Sequence, residues 1–116
     1  MIIIAAIILF VFAAFCGMVL ALMHSTKVAR PWALTIAHGV FAASALVLLA
    51  IAVLNGAAPA MTLALILFVI AAFGGMFLVS FHLRGKELPN LALVIHAVVA
   101  TAAFVALLLK FGTIKI

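Results

Sequence analysis

Acidic side chains are almost missing from this chain: Glu87 is the single one among 116 residues. With no carboxylate inside any long apolar run, the Glu-based di-iron motifs that helical bundles build from facing helices have no donors here. Charge of either sign is scarce. Only 6% of the residues are charged and 73% are hydrophobic, and the mean hydropathy is +1.72, whereas a soluble surface needs about a quarter of its residues charged. The composition therefore excludes an ordinary soluble domain and predicts a membrane protein whose first partner is the lipid bilayer.

Cysteine is nearly absent too. Cys16 stands alone inside an apolar run, so no intramolecular disulfide can form, and the residue reads as a small buried hydrophobe. Bulky Phe15 precedes it, where a lipoprotein-type cleavage would need a small residue. The first apolar run also has no basic segment ahead of it, which argues for a retained helix over a secretion signal. Proline occurs three times, as Pro31, Pro59 and Pro89, and each falls at a break between apolar runs.

Those breaks divide the chain into four stretches. Residues 2–23 carry no charge and no proline, enough at about 1.5 Å per residue to cross a hydrocarbon core of roughly 30 Å. Ser25, Thr26, Lys27 and Arg30 end that run, and Pro31 suits the first turn of a second helix reaching Leu54, because its missing N–H is not needed there. Asn55, Gly56 and Pro59 make the central turn. A third helix follows to about Leu83, and then Arg84, Gly85, Lys86, Glu87 and Pro89 repeat the basic-turn-then-proline arrangement. The last helix is expected to end near Lys110, leaving a short tail.

Short connections make consecutive helices antiparallel neighbours, so the expected fold is an all-α membrane protein: an up-down-up-down four-helix transmembrane bundle forming one domain over residues 1–116. It is built from two tandem hairpins, about 1–55 and 60–112, related by a pseudo-twofold axis along the membrane normal. Lys27, Arg30, Arg84 and Lys86 lie on the hairpin turns, against Lys110 and Lys115 on the opposite face. This count places the turns on the cytoplasmic side of an integral protein of a prokaryotic inner membrane, and it explains the basic residues by topology, not by nucleic acid.

The hairpins are related by an internal repeat. FCGMVLALMHSTKVARPWALTIAH, ending at His38, recurs 58 residues later as FGGMFLVSFHLRGKELPNLALVIH, ending at His96. His24 falls on His82, His38 on His96, Gly17 on Gly75, Met18 on Met76 and Pro31 on Pro89, which uses all four histidines of the protein. In a chain with so few polar side chains, four imidazoles placed by a repeat beneath the basic turns point to function more than to interhelical hydrogen bonding alone. The spacing predicts that they share one slab of the membrane.

Imidazole is a common neutral metal ligand. None of these histidines has a Cys or His three or four residues on, so short-spaced zinc motifs are missing, whereas haem iron held by two axial histidines needs no such companions. Gly17 and Gly75 precede His24 and His82 by seven residues, about two turns, on the same helical stripe. Ala42 and Ala45 follow His38 in the same way, as Ala100 and Ala103 follow His96. Small residues let helices approach closely, and they also leave room for a flat macrocycle.

On these residues the chain resembles the four-helix membrane b-type cytochromes, which ligate haem through paired histidines and keep small residues beside it. The resemblance covers the whole chain in architecture and rests on short motifs. It implies haem b, two groups by the symmetry of the repeat, with His24, His38, His82 and His96 as axial ligands in a pairing the sequence leaves open. It also implies Gly17 and Gly75 as haem-facing positions and Lys27, Arg30, Arg84 and Lys86 as partners for the propionates. Many such cytochromes place haems toward both faces, whereas here all histidines lie toward one. Met18 and Met76 read as membrane core, not ligands. The implied activity is electron transfer between a donor and an acceptor, with quinone- or superoxide-linked redox chemistry as an enzymatic variant. A copper or zinc protein using the same four imidazoles, or an accessory subunit of a larger membrane complex, are the other readings.

Overall fold

The computed structural model describes residues 2–56 and 61–115, the last three by backbone alone. Pro59 of the central turn lies outside them. The chain is all-α, with helices α1 (Ile2–Ser25), α2 (Trp32–Leu54), α3 (Met61–Leu83) and α4 (Asn90–Lys115). All four are long and apolar enough to cross a membrane. The four-helix, all-α class expected from the sequence is the class observed.

Helix α4 corrects one boundary. It continues past Lys110 to Lys115, because the residues after Lys110 include no proline, and Gly112 alone costs too little to stop a helix that is already propagating. Proline acts one residue earlier than expected. Pro31 stands just before α2, its carbonyl accepting the N–H groups of Leu34 and Thr35, and Pro89 just before α4, accepting from Leu93.

The chain divides into two compact units, Met1–Leu49 and Ala50–Ile116. The first holds α1 with most of α2, and the second holds α3 with α4. Each contains one basic turn, and the two turns are built alike. At the end of α1 the N–H of Lys27 donates to the carbonyl of His24 and that of Val28 to Met23. At the end of α3, Gly85 donates to His82 and Lys86 to Phe81. This paired closure of the last helical turn requires a residue in the left-handed region. Gly85 supplies it at φ 65° without strain, and Lys27 supplies it at φ 61°, where a side chain costs roughly 1–2 kcal/mol relative to glycine.

Burial follows the repeat residue by residue. Ala6, Phe10, Ala13, Ala45 and Leu49 are buried, and so are their counterparts Ala64, Phe68, Ala71, Ala103 and Leu107. Spacings of four and three residues along α1 and α3 put these side chains on one helical face. Cys16 is buried as expected. Met18 and Met76, within the membrane-length helices α1 and α3, are exposed on the helix surface. Leu78 excepted, the buried core residues described all lie within residues 6–16, 45–52, 61–71 and 103–107, away from the basic turns. The half of each hairpin that carries the histidines is the loosely covered half.

Candidate functional site: a histidine seat built twice

Glycine at position 17 leaves a gap in the surface of α1, and a side chain from α2 enters it. A Cβ placed on Gly17 would stand 2.9 Å from Cε1 and 3.3 Å from Nδ1 of His38. The ring is held there by a hydrogen bond of 2.8 Å between its Nδ1 and the carbonyl oxygen of Ala13. Ala13 lies four residues before Gly17, and a helical side chain covers the turn N-terminal to its own Cα. Glycine at 17 therefore uncovers the carbonyl that the imidazole needs.

The second unit repeats the arrangement. Nδ1 of His96 lies 2.8 Å from the carbonyl oxygen of Ala71, and a Cβ on Gly75 would stand 3.2 Å from Cε1 of His96. Gly74 is close as well, its Cβ position 3.5 Å from Nδ1 of the same ring. Because a carbonyl can only accept, Nδ1 carries the proton in both rings, and in the neutral imidazole this leaves the lone pair on Nε2. This is the tautomer in which ligating histidines are oriented by a partner on their other nitrogen.

His24 differs. Its Nδ1 lies 3.4 Å from a guanidinium nitrogen of Arg30, and since a guanidinium can only donate, Nδ1 of His24 is the acceptor. In that tautomer the proton sits on Nε2. Position 30 has no basic counterpart in the repeat, Leu88 taking its place. The nearby guanidinium of the second turn, that of Arg84, lies instead over the Phe81 ring at 4.7 Å from its centroid, with Nε donating to the Ser80 carbonyl at 3.1 Å. Lys27 and Lys86 are exposed on their turns.

Within each unit the two imidazoles, expected to share one slab, lie at different levels. The His38 ring rests against the Ala13–Gly17 turn of α1, whereas His24 lies seven residues beyond Gly17, about 10 Å of helix rise closer to the basic turn. His96 and His82 have the same offset along α3. The space left by Gly17 and Gly75 is filled by imidazole, so these glycines act on the histidines, a role that the seven-residue stripe linking them to His24 and His82 did not suggest.

The two seats differ in their surroundings. In the first unit Phe12 and Phe41 stack with ring centroids 5.4 Å apart, and Cys16 is buried. Their counterparts in the second unit are Ile70, Val99 and Gly74, and these smaller residues border an apolar groove of about 240 Å³ between α3 and α4 that is also lined by Ala71, Phe77 and His96. Among the described residues no three His, Cys, Asp or Glu side chains gather as a metal-binding group. No protein family, no curated protein and no solved structure matches this chain.

Proposed function

We propose that this protein binds haem b in the membrane and passes single electrons, with Nε2 of His38 and of His96 among the axial ligands. The observation that carries the proposal is the duplicated seat: in both units a backbone carbonyl holds the imidazole proton on Nδ1, the tautomer whose neutral ring presents the Nε2 lone pair. A neutral, oriented imidazole is what an iron ligand must be, and orienting it beforehand lowers the entropy lost on ligation. Haem iron held by two imidazoles has no open coordination position and cycles between the ferrous and ferric states by one electron.

Two further features support this reading. The histidine-bearing half of each hairpin has few buried side chains, which suits a large apolar ligand better than a bare ion. A structural zinc ion calls for four protein ligands, whereas haem asks for two. On this reading Gly17 and Gly75 are positioning residues, because they set the ring that ligates and do not touch the reacting iron. His24, whose Nδ1 accepts from Arg30, would present an Nε2 lone pair only in its other tautomer.

A second reading has a specific observation behind it. An imidazole bonded to a carbonyl across two helices is also a plain interhelical clasp, and on that account the protein is an accessory membrane subunit. Titration with haemin separates the two. The proposal expects saturable binding to detergent-purified protein, a low-spin spectrum, and loss of that spectrum in His38→Ala and His96→Ala variants that remain helical. Variants that lose stability from a wild type that never takes up haemin would leave only the clasp.

A further inference from the structure

We propose that the turn of the first hairpin, through Lys27 and Arg30, binds the phosphate of an anionic lipid headgroup. The first observation is Lys27 itself. It occupies a left-handed backbone conformation, φ 61°, that the second hairpin builds with Gly85 at φ 65° and with the same pair of closing hydrogen bonds. Glycine thus makes this turn without strain. A lysine held there against its backbone preference points to a use for its side chain, because strain of this kind collects at functional positions.

The second observation is the company of Arg30. Its guanidinium lies 3.4 Å from Nδ1 of His24, a neutral acceptor that orients the cation without cancelling its charge. The protein's one acidic residue, Glu87, belongs to the other turn. There Arg84 is folded onto Phe81 and Ser80, and Leu88 replaces Arg30. Two cations with no acid of the same turn are therefore particular to the first hairpin.

The third observation is their level. Helix α1 ends at Ser25 and α2 begins at Trp32, so Lys27 and Arg30 lie on the short turn joining two helices long enough to cross a membrane, the place where a spanning hairpin meets headgroups. Trp32 is 41% exposed at the start of α2, and tryptophan favours that interfacial layer. Basic residues beside a span attract anionic headgroups. A phosphodiester there offers acceptor oxygens to both side chains, and Arg suits phosphate in particular. The site does not depend on haem.

The test uses the full chain without haemin in phosphatidylcholine vesicles, with and without phosphatidylglycerol, reading the midpoint of thermal unfolding. Phosphatidylglycerol should raise the wild-type midpoint, and the rise should shrink as salt increases. Lys27→Gly should raise the midpoint in phosphatidylcholine alone, because strain is relieved, and yet cut the lipid-dependent rise by about twofold or more. Arg30→Gln should also cut it, and Arg84→Gln should leave it intact. The proposal is overturned if the wild type responds equally to both lipids, or if Lys27→Gly and Arg30→Gln keep the full rise. An equal rise from inorganic phosphate in phosphatidylcholine would overturn the lipid as the source and assign a free anion.

Discussion

Cε1 of His38 lies 2.9 Å from where residue 17 would carry a Cβ, so the imidazole and the glycine define one another. Adding a methyl group to a mid-helix glycine ordinarily stabilises a helix by roughly 1 kcal/mol. Here the sign is expected to reverse. Gly17→Ala should move the His38 ring, strain its bond to Ala13 and cost about 1–3 kcal/mol, the usual range for overpacking. Gly75→Ala should cost less, because the His96 ring is 3.2 Å away. Unfolding of both variants in one detergent, followed by circular dichroism, checks the order.

The turn of the second hairpin gives a prediction about backbone alone. Gly85 has φ 65° and nothing within 4 Å of where its Cβ would be, so Gly85→Ala meets no clash and differs only in conformational preference. It should destabilise the protein by roughly 1 kcal/mol. Thermal unfolding would show the loss, and an unchanged midpoint would mean that the left-handed turn relaxes without cost.

The groove beside His96 invites a transplant. Ile70→Phe with Val99→Phe introduces, at the equivalent positions, the aromatic pair that Phe12 and Phe41 form in the first unit. If the groove accommodates part of a haem, the double variant should lose about half of the bound haem, that of one ligand pair in two. Pyridine haemochrome assays on matched amounts of protein read this directly, and full occupancy in the double variant would remove the groove from the haem site.

The histidines themselves separate by level. His38→Ala and His96→Ala should each abolish a low-spin signal, because no other side chain can take over a seat made by Gly17 and Ala13 or by Gly75 and Ala71. His24→Ala should lower haem content less at low haemin concentration, since its Nδ1 faces Arg30. Equal losses in all three variants would contradict the distinction between the seated histidines and His24.

The helices, the hairpin repeat and the four histidines were legible in the sequence because charge and proline mark the ends of apolar runs and because an ungapped repeat aligns itself. The repeat also carries a pattern visible only through burial: Ala6, Phe10, Ala13, Ala45 and Leu49 recur as the same residue types at the same buried positions. What could not be read was the object each glycine faces. Gly17 shares a helical stripe with His24, and only the packing of α2 on α1 shows His38 in the gap instead. The signal was present, since Ala13 and Gly17 recur as Ala71 and Gly75 with the spacing that uncovers a carbonyl, but a carbonyl leaves no mark in a sequence. Helix α4 outran its expected end for a similar reason: one lysine at the membrane edge marks an interface without stopping a helix.

The central claim is that the two seated imidazoles are iron ligands, and the optical spectrum of the detergent-purified protein expressed with an adequate haem supply tests it most directly. The account predicts a red protein whose reduced-minus-oxidised spectrum shows a sharp Soret band and a resolved α-band, with a pyridine haemochrome of the b type and about two haems per chain. A colourless protein that stays helical and takes up no haemin would contradict it and leave His38 and His96 as clasps between helices.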